Sequence, residues 1–142
     1  MATSLTFTGA LLASSSFLVS SSQLTPIVIA QGNSNGSRIY SIAVQTNSTT
    51  AANHLLGLSS SAGIARLGVL AVTANSGYTV GTATFDFYGN ALFAAVFQKQ
   101  KDANGVPYYN LPPSTYLTMQ ITSSVFLSAG STSSIFVNGE YY

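Results

Sequence analysis

The chain has 142 residues, four basic and three acidic side chains, one histidine and no cysteine. That length builds one hydrophobic core rather than two, and the missing cysteine excludes disulfides, thiolate metal sites and cysteine nucleophiles. Charge on 5% of the residues leaves too few cations for a nucleic-acid partner, and it leaves a neutral polar surface suited to packing against other proteins.

Residues 1–36 are rich in Ser and Thr and carry short apolar patches, Leu11-Leu12, Phe17-Leu18-Val19 and Ile27-Val28-Ile29, before the turn-rich "QGNSNGS". No Lys or Arg precedes Arg38, so the positive start of a signal peptide is missing. No apolar run approaches the ~18 to 20 residues that a membrane-spanning helix needs, and no membrane partner is expected. The segment reads as an extended N-terminal arm that takes its order from a neighbouring surface. Leu11, Phe17, Val19, Ile27 and Ile29 are its expected partner contacts.

From residue 37 to 142 the pattern is strand, turn, strand. Tyr40, Ile42 and Val44 alternate with Ser41 and Ala43; "IARLGVLAV" at 64–72 is nearly continuous in apolar residues. Ala83, Phe85 and Phe87 alternate with Thr82, Thr84 and Asp86, and Leu117, Met119 and Ile121 alternate with Thr118, Gln120 and Thr122. A period of two with β-branched and aromatic enrichment predicts half-buried strands. Breaker clusters such as "TNSTTAAN", "ANSGY", "DANGVP", "LPPS" and "SAGSTSS" separate them and supply the reversals. The fold class is therefore all-β: an antiparallel β-sandwich, jelly-roll or Ig-like, of about eight strands, preceded by the arm. "NALFAAVFQKQK" at 90–101 reads either as the one helix or as a buried strand.

Candidate chemistry is sparse. His54 would need an orienting carboxylate and a nucleophile to act as a base, and Asp86, Asp102 and Glu140 lie far off in sequence, so it reads as a surface or boundary residue. One histidine and three dispersed carboxylates form no metal-ligand spacing, and no glycine-rich phosphate motif occurs, so neither metal nor cofactor is expected and the chain does not read as an enzyme. Tyr108 and Tyr109 suit a protein interface better than a sugar site, and Lys99 and Lys101 stand before the Asn104-Gly105 turn as polar partner contacts. Arg38 marks the border between arm and sandwich. Its donors are expected to tie loop carbonyls or Glu140 near the closing strand.

The Ser/Thr-rich start, "NGSRIYSIAVQTNSTT", "LGVLAVTA", "ANGVPYYNLPPSTYLTMQI" and "IFVNGEYY" together resemble a group of small tailed-bacteriophage virion proteins, over roughly residues 33–142. Members of that group carry an A-x-G-[ST]-R-[IV] start, an L-P-x-G-[YW]-x-L segment and a terminal G-[DE]-[YF]. Gly36, Ser37, Arg38 and Ile39 match the start, Leu111, Pro112, Tyr116 and Leu117 the middle, and Gly139, Glu140 and Tyr141 the end. "LPPSTYL" has Pro-Ser-Thr where the pattern has one residue and a glycine, and Tyr142 extends the usual terminus. The resemblance implies a structural virion protein, a capsid decoration or cement protein made in the host cytoplasm and placed on the capsid surface. Its implied partners are the major capsid protein and copies of itself. The alternative is a tail or fibre component, or a carbohydrate-binding module touching the host surface.

Overall fold

The computed structural model of the chain describes residues 11–91, 99–122 and 125–142, with side chains from Ser16 onward. Four strand pairs set the topology, three joining an early strand to a late one and the fourth a hairpin of consecutive strands. β1 (Leu11–Val19) runs antiparallel to β10 (Thr132–Tyr141), and β2 (Ile27–Gln31) to β9 (Tyr116–Ile121). β3 (Ser37–Thr46) pairs with β8 (Pro107–Leu111), and β4 (Ala52–Ser60) with β5 (Gly63–Val72). The pairs are successive segments of one long antiparallel ribbon, folded so that they alternate between two sheets.

Pairing of β10 with β3 and of β9 with β4 completes the sheets. Sheet A has the order β1-β10-β3-β8-β7, with β7 (Gln100–Lys101) at its edge and β6 (Phe85–Asp86) bound to β3; sheet B has the order β2-β9-β4-β5. This rolled ribbon in two facing sheets is a jelly roll, one of the two sandwich types expected.

Alternation places the core between the sheets. Ile39, Ile42, Val44, Ile135 and Val137 from sheet A meet Leu56, Val72, Leu117, Met119 and Ile121 from sheet B, all nearly or fully out of water. Each such side chain contributes about 1.5–3 kcal/mol on burial. Two turns show why glycine stands where it does: Gly63 opens β5 at φ 132°, and Gly105 turns β7 into β8 at φ 80°. In the second turn Asp102 Oδ1 accepts the Asn104 and Val106 amides at 2.8 and 2.9 Å.

The arm expectation is corrected from Leu11 onward. Residues 11–36 belong to the sandwich: β1 and β2 are paired strands, Leu18 and Ala30 enter the core, and Ile29 is only 2% exposed within it. The patches were short for a physical reason. β1 and β2 stand at the ends of their sheets' strand orders, so few of their described side chains enter the core: Leu18 on β1, and Ile29 and Ala30 on β2. Residues 1–10 and most of the 90–101 patch lie outside the described residues; Gln100 and Lys101 of that patch form β7.

Candidate functional site

Three places could carry function: the outer face of sheet A, the strand pair β1–β10 at its edge, and the buried histidine between the sheets. On the outer face of sheet A, a register shift near Asn138-Gly139 controls what is presented. Asn138 pairs with Ser41 and Gly139 with Ile39, so Tyr40 is the extra residue on β3 and stands outward with Ser41 instead of alternating inward with Ile42. Gly139 is needed there, because a Cβ would run into the carbonyl oxygen of Arg38.

Tyr40 thereby joins Arg38, Tyr108 and Tyr142. Arg38 Nε donates to the Tyr142 hydroxyl at 3.0 Å, and its guanidinium carbon lies 4.4 Å from the centre of the Tyr108 ring and 5.3 Å from that of Tyr142. The rings of Tyr40 and Tyr108 are 6.0 Å apart and tilted by 58°. Desolvation works against the Arg38 charge, but hydrogen bonding to the Tyr142 and Tyr40 hydroxyls outweighs it and raises the guanidinium pKa. Tyr40 in turn donates to Asp102 Oδ2 at 3.3 Å, and Tyr108 to Gln100 Oε1 at 3.0 Å. The Val106 amide, with the Asn104 amide and the Tyr40 hydroxyl, holds Asp102 below its ordinary carboxylate range.

This cluster decides several sequence expectations. Arg38 stands opposite Glu140 in the β3–β10 register, but the expected tie to that carboxylate is corrected: its Nε bonds the Tyr142 hydroxyl instead, which ties β3 to the chain just beyond β10. Tyr108 is corrected as a partner contact: it is 7% exposed, covered by Arg38 on the outer face. Tyr109 is corrected too, since alternation turns it inward to pack on the core. Lys99 is held by its own chain, its Nζ donating to the Tyr88 carbonyl at 3.3 Å and sitting 4.2 Å from the centre of that ring. Lys101 stands exposed on β7.

The expected contacts on the two edge strands, β1 of sheet A and β2 of sheet B, divide by which way each side chain faces. Phe17 is 59% exposed and Val19 is also exposed, whereas Ile27 packs against the core and Ile29 lies within it. Both are corrected as partner contacts, because their side of β2 faces the core between the two sheets. Leu11 is placed on β1 opposite Glu140. Phe136 on β10, which the sequence reading passed over, stands exposed opposite Ser15 and two pairs along from Phe17, whose partner is Ser134.

His54 is corrected from a surface or boundary residue to a fully buried one. Its Nδ1 lies 3.0 Å from the Ala52 carbonyl, which can only accept, so Nδ1 carries the proton. Nε2 then accepts the Ser133 hydroxyl at 2.9 Å, a bond that joins β4 of sheet B to β10 of sheet A through the core. Burial pushes the imidazole pKa down to about 4, against the opposing effect of the Ala52 carbonyl. The Ser–His distance is that of a nucleophile and its base. Both members are closed to solvent, and a backbone carbonyl takes the orienting position where a catalytic carboxylate would stand. The pair is built to join sheets.

Among the described residues no group of three or more His, Asp or Glu side chains could hold a metal ion. No described helix is long and apolar enough to cross a membrane. Comparison with known protein families, characterised proteins and solved structures gives no match to this chain.

Proposed function

We propose that the chain is a non-enzymatic structural protein of a tailed-bacteriophage particle, a capsid decoration or cement protein that docks between subunits of the major capsid protein and beside its own copies. The observation that carries this reading is the outer side of the β1–β10 pair. There Phe17, Val19 and Phe136 stand together in solvent, on a surface almost without charge and beside the edge of β1, which among the described residues no second strand pairs. A single exposed phenylalanine is ordinary, but a cluster along an open strand edge offers both apolar area and backbone groups to a neighbouring sheet. Burial of these side chains would contribute about 1.5–3 kcal/mol each. Jelly rolls serve in viral shells and in lectins alike, so the fold by itself is neutral between those roles.

The test is shell binding by the Phe17→Ser/Phe136→Ser chain. Mixed with undecorated particles it should bind at least tenfold more weakly than the wild type, with an unchanged melting temperature. Equal occupancy would remove this docking face. One observation favours a second reading, a tail component or carbohydrate-binding module: exposed Asn110 and Tyr142 share the outer face of sheet A with Tyr40. Glycan binding abolished by Tyr142→Ala, with no shell binding by the wild type, would turn the assignment that way.

A further inference from the structure

All seven charged side chains belong to described residues, and four of them are engaged within the fold. Arg38 bonds Tyr142, Lys99 bonds the Tyr88 carbonyl, Asp86 Oδ1 accepts the Gly89 amide at 2.9 Å, and Asp102 caps its turn. Among the described residues, Arg66, Lys101 and Glu140 have no side-chain hydrogen bond or ion pair. In a chain with so little charge, these three are the groups left to specify a partner.

Lys101 stands beside an open hairpin turn, but Arg66 does not. It lines a groove of about 520 Å³ across the outer face of sheet B, with Leu24, Leu55 and Val69 as apolar lining and Asn53 and Gln120 as amides. Register explains the groove. Leu55 on β4 is opposite both Val69 on β5 and Gln120 on β9, and Arg66 is opposite Gly57, which has no side chain to crowd it. Gln120 Nε2 donates to the Leu24 carbonyl at 3.1 Å and holds that wall in place. A lone guanidinium with amide and apolar neighbours fits a carboxylate carried on an aliphatic stem, since the fork of donors takes both oxygens and the lining covers the methylenes.

Glu140 has that chemistry, and among the described residues it is the one side-chain carboxylate that no intrachain hydrogen bond holds. Alternation beyond the register shift sends it to the outer face of sheet A, beside Arg38. We propose that copies of this chain associate head to tail, with Glu140 of one copy entering the Arg66 groove of the next. Because the two surfaces lie on opposite sheets, the contact is heterologous and builds a ring or a continuing array, as a layer on a shell requires. This inference rests on the structural reading above and names the contact between its copies.

Sedimentation of the full chain tests it, using wild type, Arg66→Glu, Glu140→Arg and the double charge swap. The wild type should self-associate, each single variant should weaken association at least tenfold, and the swap should restore it. Thermal unfolding confirms that each variant is folded, and Arg66→Gln supplies a milder variant should the reversal disturb β5. A monomeric wild type, or a folded swap that stays monomeric while both single variants do, overturns the proposal. Shell binding measured on the same samples keeps the two readings apart: a monomer that still decorates particles preserves the structural role and removes only this contact.

Discussion

Two arginines stand on opposite outer faces of this jelly roll and live differently. Arg38 on sheet A is hydrogen-bonded to Tyr142 and covers the Tyr108 ring, whereas Arg66 on sheet B lines a groove with no polar partner of its own among the described residues. The contrast separates charge that holds the fold from charge left for contact. It follows from strand neighbours. β8 and the residue just beyond β10 bring tyrosines to either side of Arg38, while the β4 residue opposite Arg66 is a glycine.

The interior must be separated from both faces first, and it gives the largest expected effect. His54 is held near a pKa of 4 in the folded chain against an ordinary 6.5. Below pH 6.5 the unfolded chain therefore binds a proton that the native chain refuses. Stability is fully present above 6.5, falls between 6.5 and 4, and levels off below, a loss of about 3 kcal/mol in all. Asp102, whose pKa is depressed, loses its contribution only at lower pH. Urea unfolding across this range should show uptake of close to one proton on unfolding, in wild type and in either arginine variant. A flat profile would contradict the buried, neutral histidine.

The next effect strikes one face only. Arg38→Ala removes a charge-assisted hydrogen bond and the cation over Tyr108, and should cost about 2 kcal/mol. Tyr142→Phe keeps the ring and deletes only the hydroxyl, so it should cost about 1 kcal/mol in the same denaturation experiment. A larger loss from Tyr142→Phe than from Arg38→Ala would mean that the tyrosine serves something besides the arginine.

Much of the sandwich was legible because alternation is a local signal. Ile42, Val44, Leu117, Met119 and Ile121 all face the core as their period of two requires. Tyr40 broke that pattern because the register shift with β10 cannot be read from β3 alone. Residues 11–31 were misread as an arm because edge strands carry weaker apolar patterns than central ones, and their partners β9 and β10 lie at the far end of the chain. The continuous apolar run of β5 suggested burial on both faces, yet its first four residues stand exposed at the edge of sheet B.

The polar contacts were the least legible part. His54 and Ser133 are 79 residues apart, and Arg38 and Tyr142 are 104 apart, so only the rolled topology brings them together. Arg66 gave no local sign at all, since its groove is assembled from β4, β5, β9 and the segment before β2.

The division of this surface into a part that holds the fold and a part kept for partners is tested most directly by thermal unfolding of Arg38→Ala and Arg66→Ala side by side, in dilute solution. The account predicts that Arg38→Ala melts about 5–10 °C below the wild type while Arg66→Ala stays within about 1–2 °C of it. Equal losses in the two variants, or a larger loss at Arg66, would contradict it.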